Sequence, residues 1–374
     1  MAEIKRKLAT IRTIKSVDAI EGADSIVKLT FEGMSWVVVT NKDTNPQVGD
    51  KRVYFEIDSI LPETEVFEFM RPFHFRVKTI KLRGQVSQGL SIPLSEFPGL
   101  IDRAEGDNTS PQDGEDVTDN LGVVKYELPE SVTLSGDVYG NFPSFITKTD
   151  EERAQNLDNL EEILATKELT ASVKVDGSSA TFYYNRAFTQ DVFPKYEDPH
   201  FGVCSRNLEL KNTEGNALWK TARKYNLEQK MARYSIMRSK AGPFNFAIQG
   251  ELAGPGIQNN RAKLLNVGLY IFNIQIINTG YRFTPQELEE AVFEMTGKDP
   301  EGLALQLAPR LGTFAPGHFK SIADLEAFSK GVTGLSDVAK ADKEVQREGV
   351  VFRSTDGTVS FKYINPSYLL KWDL

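Results

Sequence analysis

The first hundred residues alternate between short apolar runs and turn signals. Residues 10–14, 26–31, 36–40 and 53–57 are rich in Val, Ile, Thr, Phe and Tyr, and Glu32-Gly33, Asn45-Pro46 and Gly49-Asp50 punctuate them. Several short strands at this spacing predict a small closed barrel of the OB type, an architecture whose strand face and loops commonly bind oligonucleotides. Residues 101–121 then turn polar, with Glu105, Asp107, Asp113, Glu115, Asp116 and Asp119 among Gly, Asn and Ser. That stretch reads as a long loop or linker, so the expected domains are 1–121, an OB-like N-terminal domain with an acidic linker, and 122–374.

In the second part the apolar period changes from two to about 3.6 in places. Helices are predicted over residues 151–167, 217–239, 285–295 and 321–330. Thr284 is the expected N-cap of the third, with Pro285 at its first position and acids in its first turn. Between the helices lie β-prone runs, and the fold class expected is α+β, a β-barrel followed by a domain of antiparallel sheets with flanking helices.

Bulk properties narrow the setting. The 374 residues are 40% hydrophobic and 26% charged, with room for two cores. No apolar stretch reaches the length of a membrane span, and the charged start Met1-Ala-Glu-Ile-Lys-Arg-Lys is unlike a secretion signal. A cytoplasmic protein with no membrane association and no evident obligate protein partner is the expectation. One cysteine, Cys204, leaves no internal disulfide framework and no multi-cysteine zinc site.

The net charge of −8 argues against a passive nucleic-acid coat, so any contact with nucleic acid must be local. One such place is residues 71–83, where Arg71, Arg76, Lys78, Lys81 and Arg83 interleave with Phe73 and Phe75 and no acid intervenes. The pattern suits a face that tracks a phosphate backbone and stacks bases. It equally suits a solvated sheet edge with its aromatics in the core.

The segment 171–180 (Ala-Ser-Val-Lys-Val-Asp-Gly-Ser-Ser-Ala) places Lys174 two residues before Asp176-Gly177, between two β-prone runs. Taken alone it also describes a strand ending in an Asp-Gly turn. A lysine attacks phosphorus only as the free amine, so a nucleophilic Lys174 needs surroundings that lower its pKa. Downstream, in fixed order, come residues 205–208 (Ser-Arg-Asn-Leu), 250–256 (Gly-Glu-Leu-Ala-Gly-Pro-Gly), 270–274 (Tyr-Ile-Phe-Asn-Ile), 347–353 (Arg-Glu-Gly-Val-Val-Phe-Arg) and 360–365 (Ser-Phe-Lys-Tyr-Ile-Asn).

Together these segments resemble the nucleotidyltransferase motifs of covalent polynucleotide ligases. Their wording is similar to that of ATP-dependent RNA ligases of the Deinococcus RNA ligase type, and the likeness extends to residues 53–62 and 78–90 of the first domain. The resemblance implies that 122–374 is an adenylyltransferase domain. It implies that Lys174 attacks the α-phosphorus of ATP to form lysyl-AMP, with Asp176 and Lys362 assisting. Gly177, Arg206, Glu251, Phe272 and Lys362 are implied in nucleotide binding, Phe272 by stacking on adenine and Glu251 through the ribose hydroxyls. Glu348 is the implied carboxylate for Mg2+ or Mn2+, since oxygen ligands suit hard cations. Arg261 is implied to face the substrate.

The implied activity is sealing of 3′-OH and 5′-phosphate ends in RNA or an RNA-containing duplex, at nicks with RNA on the 3′-OH side. Ser179 stands where capping enzymes and DNA ligases commonly carry an arginine, and the chain stops twelve residues past Lys362, where they append another domain. A capping-type guanylyltransferase and a noncatalytic nucleic-acid-binding scaffold are the alternatives.

Overall fold

The computed structural model describes residues 6–101, 110–126, 137–186, 199–239, 242–296, 303–335 and 345–374. By contacts the chain divides into two units: one is Ala2–Leu128 with Glu152–Glu162 and Ile364–Leu374, the other Pro129–Glu151 with Ile163–Tyr363.

In the first unit five antiparallel strands form one sheet in the order Val38–Asn41, Ile26–Phe31, Ala9–Ala19, Lys51–Phe55, Leu90–Pro93. The long strand Ala9–Ala19 pairs with neighbours on both sides and shifts register between Ile14 and Ser16, a bulge that bends it. Gln88 N donates to Val37 O and Val39 N to Ser87 Oγ, which draws the edges together into a nearly closed barrel. Alternate residues, Leu29, Phe31, Val53 and Phe55 among them, fill its interior with Trp36. Each such side chain contributes about 1.5–3 kcal/mol by leaving water.

Part of the expected linker belongs to this barrel. Ile11 N donates to Glu115 O, Val117 N to Ala9 O and Leu8 N to Thr118 Oγ1, and Val117 is fully buried. Glu105 and Asp107 of the acidic run lie outside the described residues.

The second unit is built on two sheets. One has seven strands, in the order Val138–Asn141, Leu208–Leu210, His200–Cys204, Ser178–Asn185, Phe246–Ala253, Gly268–Ile276, Gln306–Leu307; the last pair is parallel and the others antiparallel. The other orders Ser360–Ile364, Gly349–Ser354, Leu169–Lys174, Arg310–Phe314. Phe182, Phe246, Ile248 and Ile271 of the first sheet pack against Leu218, Trp219, Met231, Tyr234, Leu288 and Val292 of the helices.

Two predicted helices change shape. The stretch 217–239 breaks into Ala217–Lys224 and Leu227–Arg238, because Asn226 takes a left-handed conformation (φ 53°) that asparagine tolerates. The break lets Leu218 and Trp219 in one helix and Met231 and Tyr234 in the other join the same core. The stretch 151–167 yields only Leu160–Thr166, because the side chains before it are engaged elsewhere. Arg153 pairs with Asp58 at 2.8 Å, and Asn156 donates to Glu56 and Glu152.

The other two hold. Pro285–Thr296 starts at Thr284, whose Oγ1 accepts from Glu287 N while Glu287 accepts from Thr284 N, and Ile322–Ser329 starts at a second capping box on Ser321.

Candidate active site

Strand register assembles the nucleophile and its first carboxylate. Lys174 ends the strand Leu169–Lys174 and pairs across the ladder with Gly349, so the preceding residue, Glu348, arrives beside it. Lys174 Nζ lies 2.8 Å from both Glu348 oxygens. The chain then turns through Asp176-Gly177. A Cβ at Gly177 would stand 2.3 Å from Leu252 O, so only glycine allows this turn to pass so close to the neighbouring strand. That strand brings Glu251 opposite Ser179.

Four ionisable groups therefore converge. Burial lowers the Lys174 pKa, but Glu348, Glu251 and Asp176 outweigh it and hold the amine above its usual value. This corrects the expectation of a depressed pKa: the carboxylates favour the ammonium in the ligand-free site. Burial pushes Glu251 up to about 8 against the opposing charge of Lys174. Burial also raises Glu348, opposed by Lys174 and by the nearby charge of Lys362, while Arg206 acts likewise on Glu251. Arg206 and Lys362 thus belong to the same constellation.

Arg261 is buried and donates from one guanidinium nitrogen to both oxygens of Asp176, at 3.1 and 3.2 Å. Phe272 is half-buried on the strand Gly268–Ile276, against the small cluster that holds Val173 and Val175. Its backbone carbonyl accepts from Arg353 at 3.2 Å. Lys362, on the strand Ser360–Ile364, donates to Asp150 Oδ1 at 2.6 Å, and an Arg206 nitrogen lies 3.7 Å from Asp150 Oδ2. Glu151, next in sequence, pairs with Arg282 at 2.8 Å and with Arg353 at 3.3 Å.

Sequence reasoning missed Asp150, Glu151, Arg282 and Arg353. Only Arg353 lay inside a quoted motif, and no spacing rule links residue 150 to residue 362.

The oxygen donors around Lys174 have the chemistry a hard cation takes. Among the described residues no group of three or more His, Cys, Asp or Glu side chains forms a ready-made metal cage.

The basic stretch belongs to the other unit. Arg71 pairs with Glu68 at 2.6 Å and Glu63 at 3.2 Å, Lys78 with Asp373 at 2.7 Å, and Arg76 with Asp58 at 3.4 Å while lying 3.6 Å from the Tyr126 ring centroid. Carboxylates from outside residues 71–83, with Glu68 just before them, meet these cations. Lys81 and Arg83 are exposed at the hairpin joining Thr79–Leu82 to Gln85–Gln88, Phe73 is exposed, and Phe75 is buried.

Among the described residues no helix is long and apolar enough to cross a membrane. Two family models match the chain: an OB-fold domain over residues 8–94 and RNA ligase over residues 167–364. Among solved structures, an RNA ligase of Naegleria gruberi with PPi is 35% identical, with 98% of each chain covered and a TM-score of 0.79. A variant of that ligase with ATP and Mn gives the same identity and TM-score, covering 97% of this chain and 98% of the other. A further variant with AMP and Mn matches equally. The comparison with curated proteins gives no match.

Proposed function

The chain belongs to the RNA ligase family, and from that premise we propose that it seals 3′-OH and 5′-phosphate ends with ATP as AMP donor, through lysyl-AMP on Lys174. The observation that carries this reading is the meeting of Lys174 with Glu348, Glu251 and Asp176, with Arg206 and Lys362 at the margin. The Naegleria relative was solved with ATP and Mn, with AMP and Mn and with PPi, which supports ATP and a divalent cation here.

In the first step Lys174 Nζ attacks the α-phosphorus, a nitrogen–phosphorus bond forms, and pyrophosphate departs with the bridging oxygen. A 5′-phosphate oxygen of the RNA then attacks the adenylyl phosphorus and releases Lys174. The 3′-OH finally attacks the activated 5′ phosphorus, closes the phosphodiester and expels AMP.

This chain's residues divide the work. Arg206 and Lys362 hold phosphate oxygens and offset their charge. Glu251 accepts from, or when neutral donates to, a ribose hydroxyl. Phe272 stacks on adenine. Asp176, held by Arg261, fixes the turn that aims Lys174. Glu348 is the residue that would hold Mg2+ or Mn2+, a cation that would neutralise phosphate charge and take the carboxylate now paired with the Lys174 ammonium. Without that carboxylate's pull Lys174 would lose its proton more readily.

The substrate we assign is a nick with RNA on the 3′-OH side, engaged in part through Lys81 and Arg83, the cations of residues 71–83 exposed at the hairpin. The test compares nicked duplexes that differ only in ribose or deoxyribose at the 3′-OH terminus. Faster ATP-dependent joining of the ribose end supports the assignment; equal joining of both ends removes the RNA requirement and leaves ligation itself standing.

A further inference from the structure

The two cations assigned to the nucleotide phosphates share a partner that is not a phosphate. Asp150 accepts from Lys362 Nζ through Oδ1 at 2.6 Å, and its Oδ2 faces an Arg206 nitrogen at 3.7 Å. The contact joins a strand residue, Lys362, to a loop residue, Arg206, far apart in sequence. A carboxylate so placed presents two oxygens to two cations, which is also what a phosphate group would present to them.

The backbone at this point is held from behind. Glu151 is nearly buried and pairs with Arg282 at 2.8 Å and Arg353 at 3.3 Å, and Arg353 also donates to the Phe272 carbonyl. Asp150 itself is half-exposed, with a side-chain exposure of 45%. An anchored backbone carrying a half-exposed carboxylate fits a side chain that stays in place in one state and swings aside in another.

We propose that Asp150 is an anionic placeholder for nucleotide phosphate: it holds Lys362 and Arg206 in the ligand-free enzyme and yields them when triphosphate enters. This rests on the assignment of Arg206 and Lys362 to the phosphates. The consequence is a competition. ATP must displace Asp150, so its affinity is lower than the two cations alone would give, and pyrophosphate leaves more readily because Asp150 can reclaim them. Half-exposed ion pairs are weak individually, so the effect of removing the competitor is about three- to tenfold in affinity.

The experiment measures equilibrium binding of an α,β-methylene ATP analogue and of pyrophosphate, with Mg2+, to the full chain and to Asp150→Asn, Asp150→Glu, Arg206→Ala and Lys362→Ala. The inference expects Asp150→Asn to bind both ligands about three- to tenfold more tightly, with Asp150→Glu returning to the parent value. A merely bracing Asp150 would move affinity the other way, since loss of the brace disorders the cations. Unchanged or weaker binding in Asp150→Asn, with Arg206→Ala and Lys362→Ala both weakened, overturns the placeholder and leaves the phosphate assignment intact. No weakening in Arg206→Ala and Lys362→Ala overturns that assignment, and this inference with it.

Discussion

Lys174 Nζ sits 2.8 Å from both oxygens of Glu348, and the strand pairing of Lys174 with Gly349 puts it there. The nucleophile candidate is therefore locked as an ammonium by the same carboxylate that is the candidate metal ligand. The Lys174 ammonium holds the carboxylate that a divalent cation would take, so under the proposed mechanism a cation bound there would loosen the amine's proton.

Reactivity of the Lys174 amine should follow from that competition. Glu348 is a main cause of the raised pKa of Lys174, after the opposing effect of burial. Glu348→Gln should move the pH midpoint for modification of Lys174 by an amine-directed reagent downward, read by mass spectrometry of the labelled peptide without metal. An upward shift, or none, contradicts the coupling.

Glu251 gives a stability prediction. Its carboxyl is raised from a usual 4.5 to about 8, mainly by burial. Between those values the folded state binds more protons than the unfolded chain, so this group's contribution to stability falls as pH rises through that window. Glu251→Gln removes the cost of charging. The variant should gain melting temperature relative to the parent as pH goes from 5 to 8, by about 2 °C at the upper end, while losing adenylylation. Thermal melts at the two pH values decide it.

Arg353 ties Glu151 to the Phe272 backbone. Arg353→Met should cost about 2 kcal/mol in urea unfolding, because among the described residues Glu151 keeps only Arg282 as its close ion-pair partner. It should also weaken ATP binding, since Phe272, proposed to stack on adenine, loses its backbone brace. A fully stable variant with normal ATP affinity would remove the bracing role.

Much of this was legible in the chain. The alternation of apolar and polar residues located the barrel strands, and Thr284 announced its helix because capping is a local interaction. The helix break at Asn226 was not legible, since the apolar spacing runs straight through it and residues from both sides of the break enter one core. The motif residues were found by their order. Their partners were not: Asp150 meets Lys362 across more than two hundred residues, a contact that only the folded sheet creates. The basic run 71–83 looked unopposed for a similar reason, because Asp58 and Asp373 reach it through space.

Within that run, Lys81 and Arg83 are the cations exposed at a hairpin end. Lys81→Ala with Arg83→Ala should weaken binding to nicked RNA and reduce the slope of log affinity against log salt by about two, about one per lost phosphate contact. Self-adenylylation should stay at the parent level. An unchanged salt slope would take these residues off the RNA path.

Under the proposed mechanism Lys174 accepts AMP from ATP. Incubation with α-labelled ATP, and in parallel α-labelled GTP, with Mg2+ or Mn2+, followed by denaturing electrophoresis, tests it on the parent protein and on Lys174→Ala. Label from ATP alone that disappears in Lys174→Ala is the predicted result. No label from either nucleotide, in protein freed of bound AMP, would contradict the lysyl-AMP mechanism, and label from GTP alone would point to guanylyl transfer.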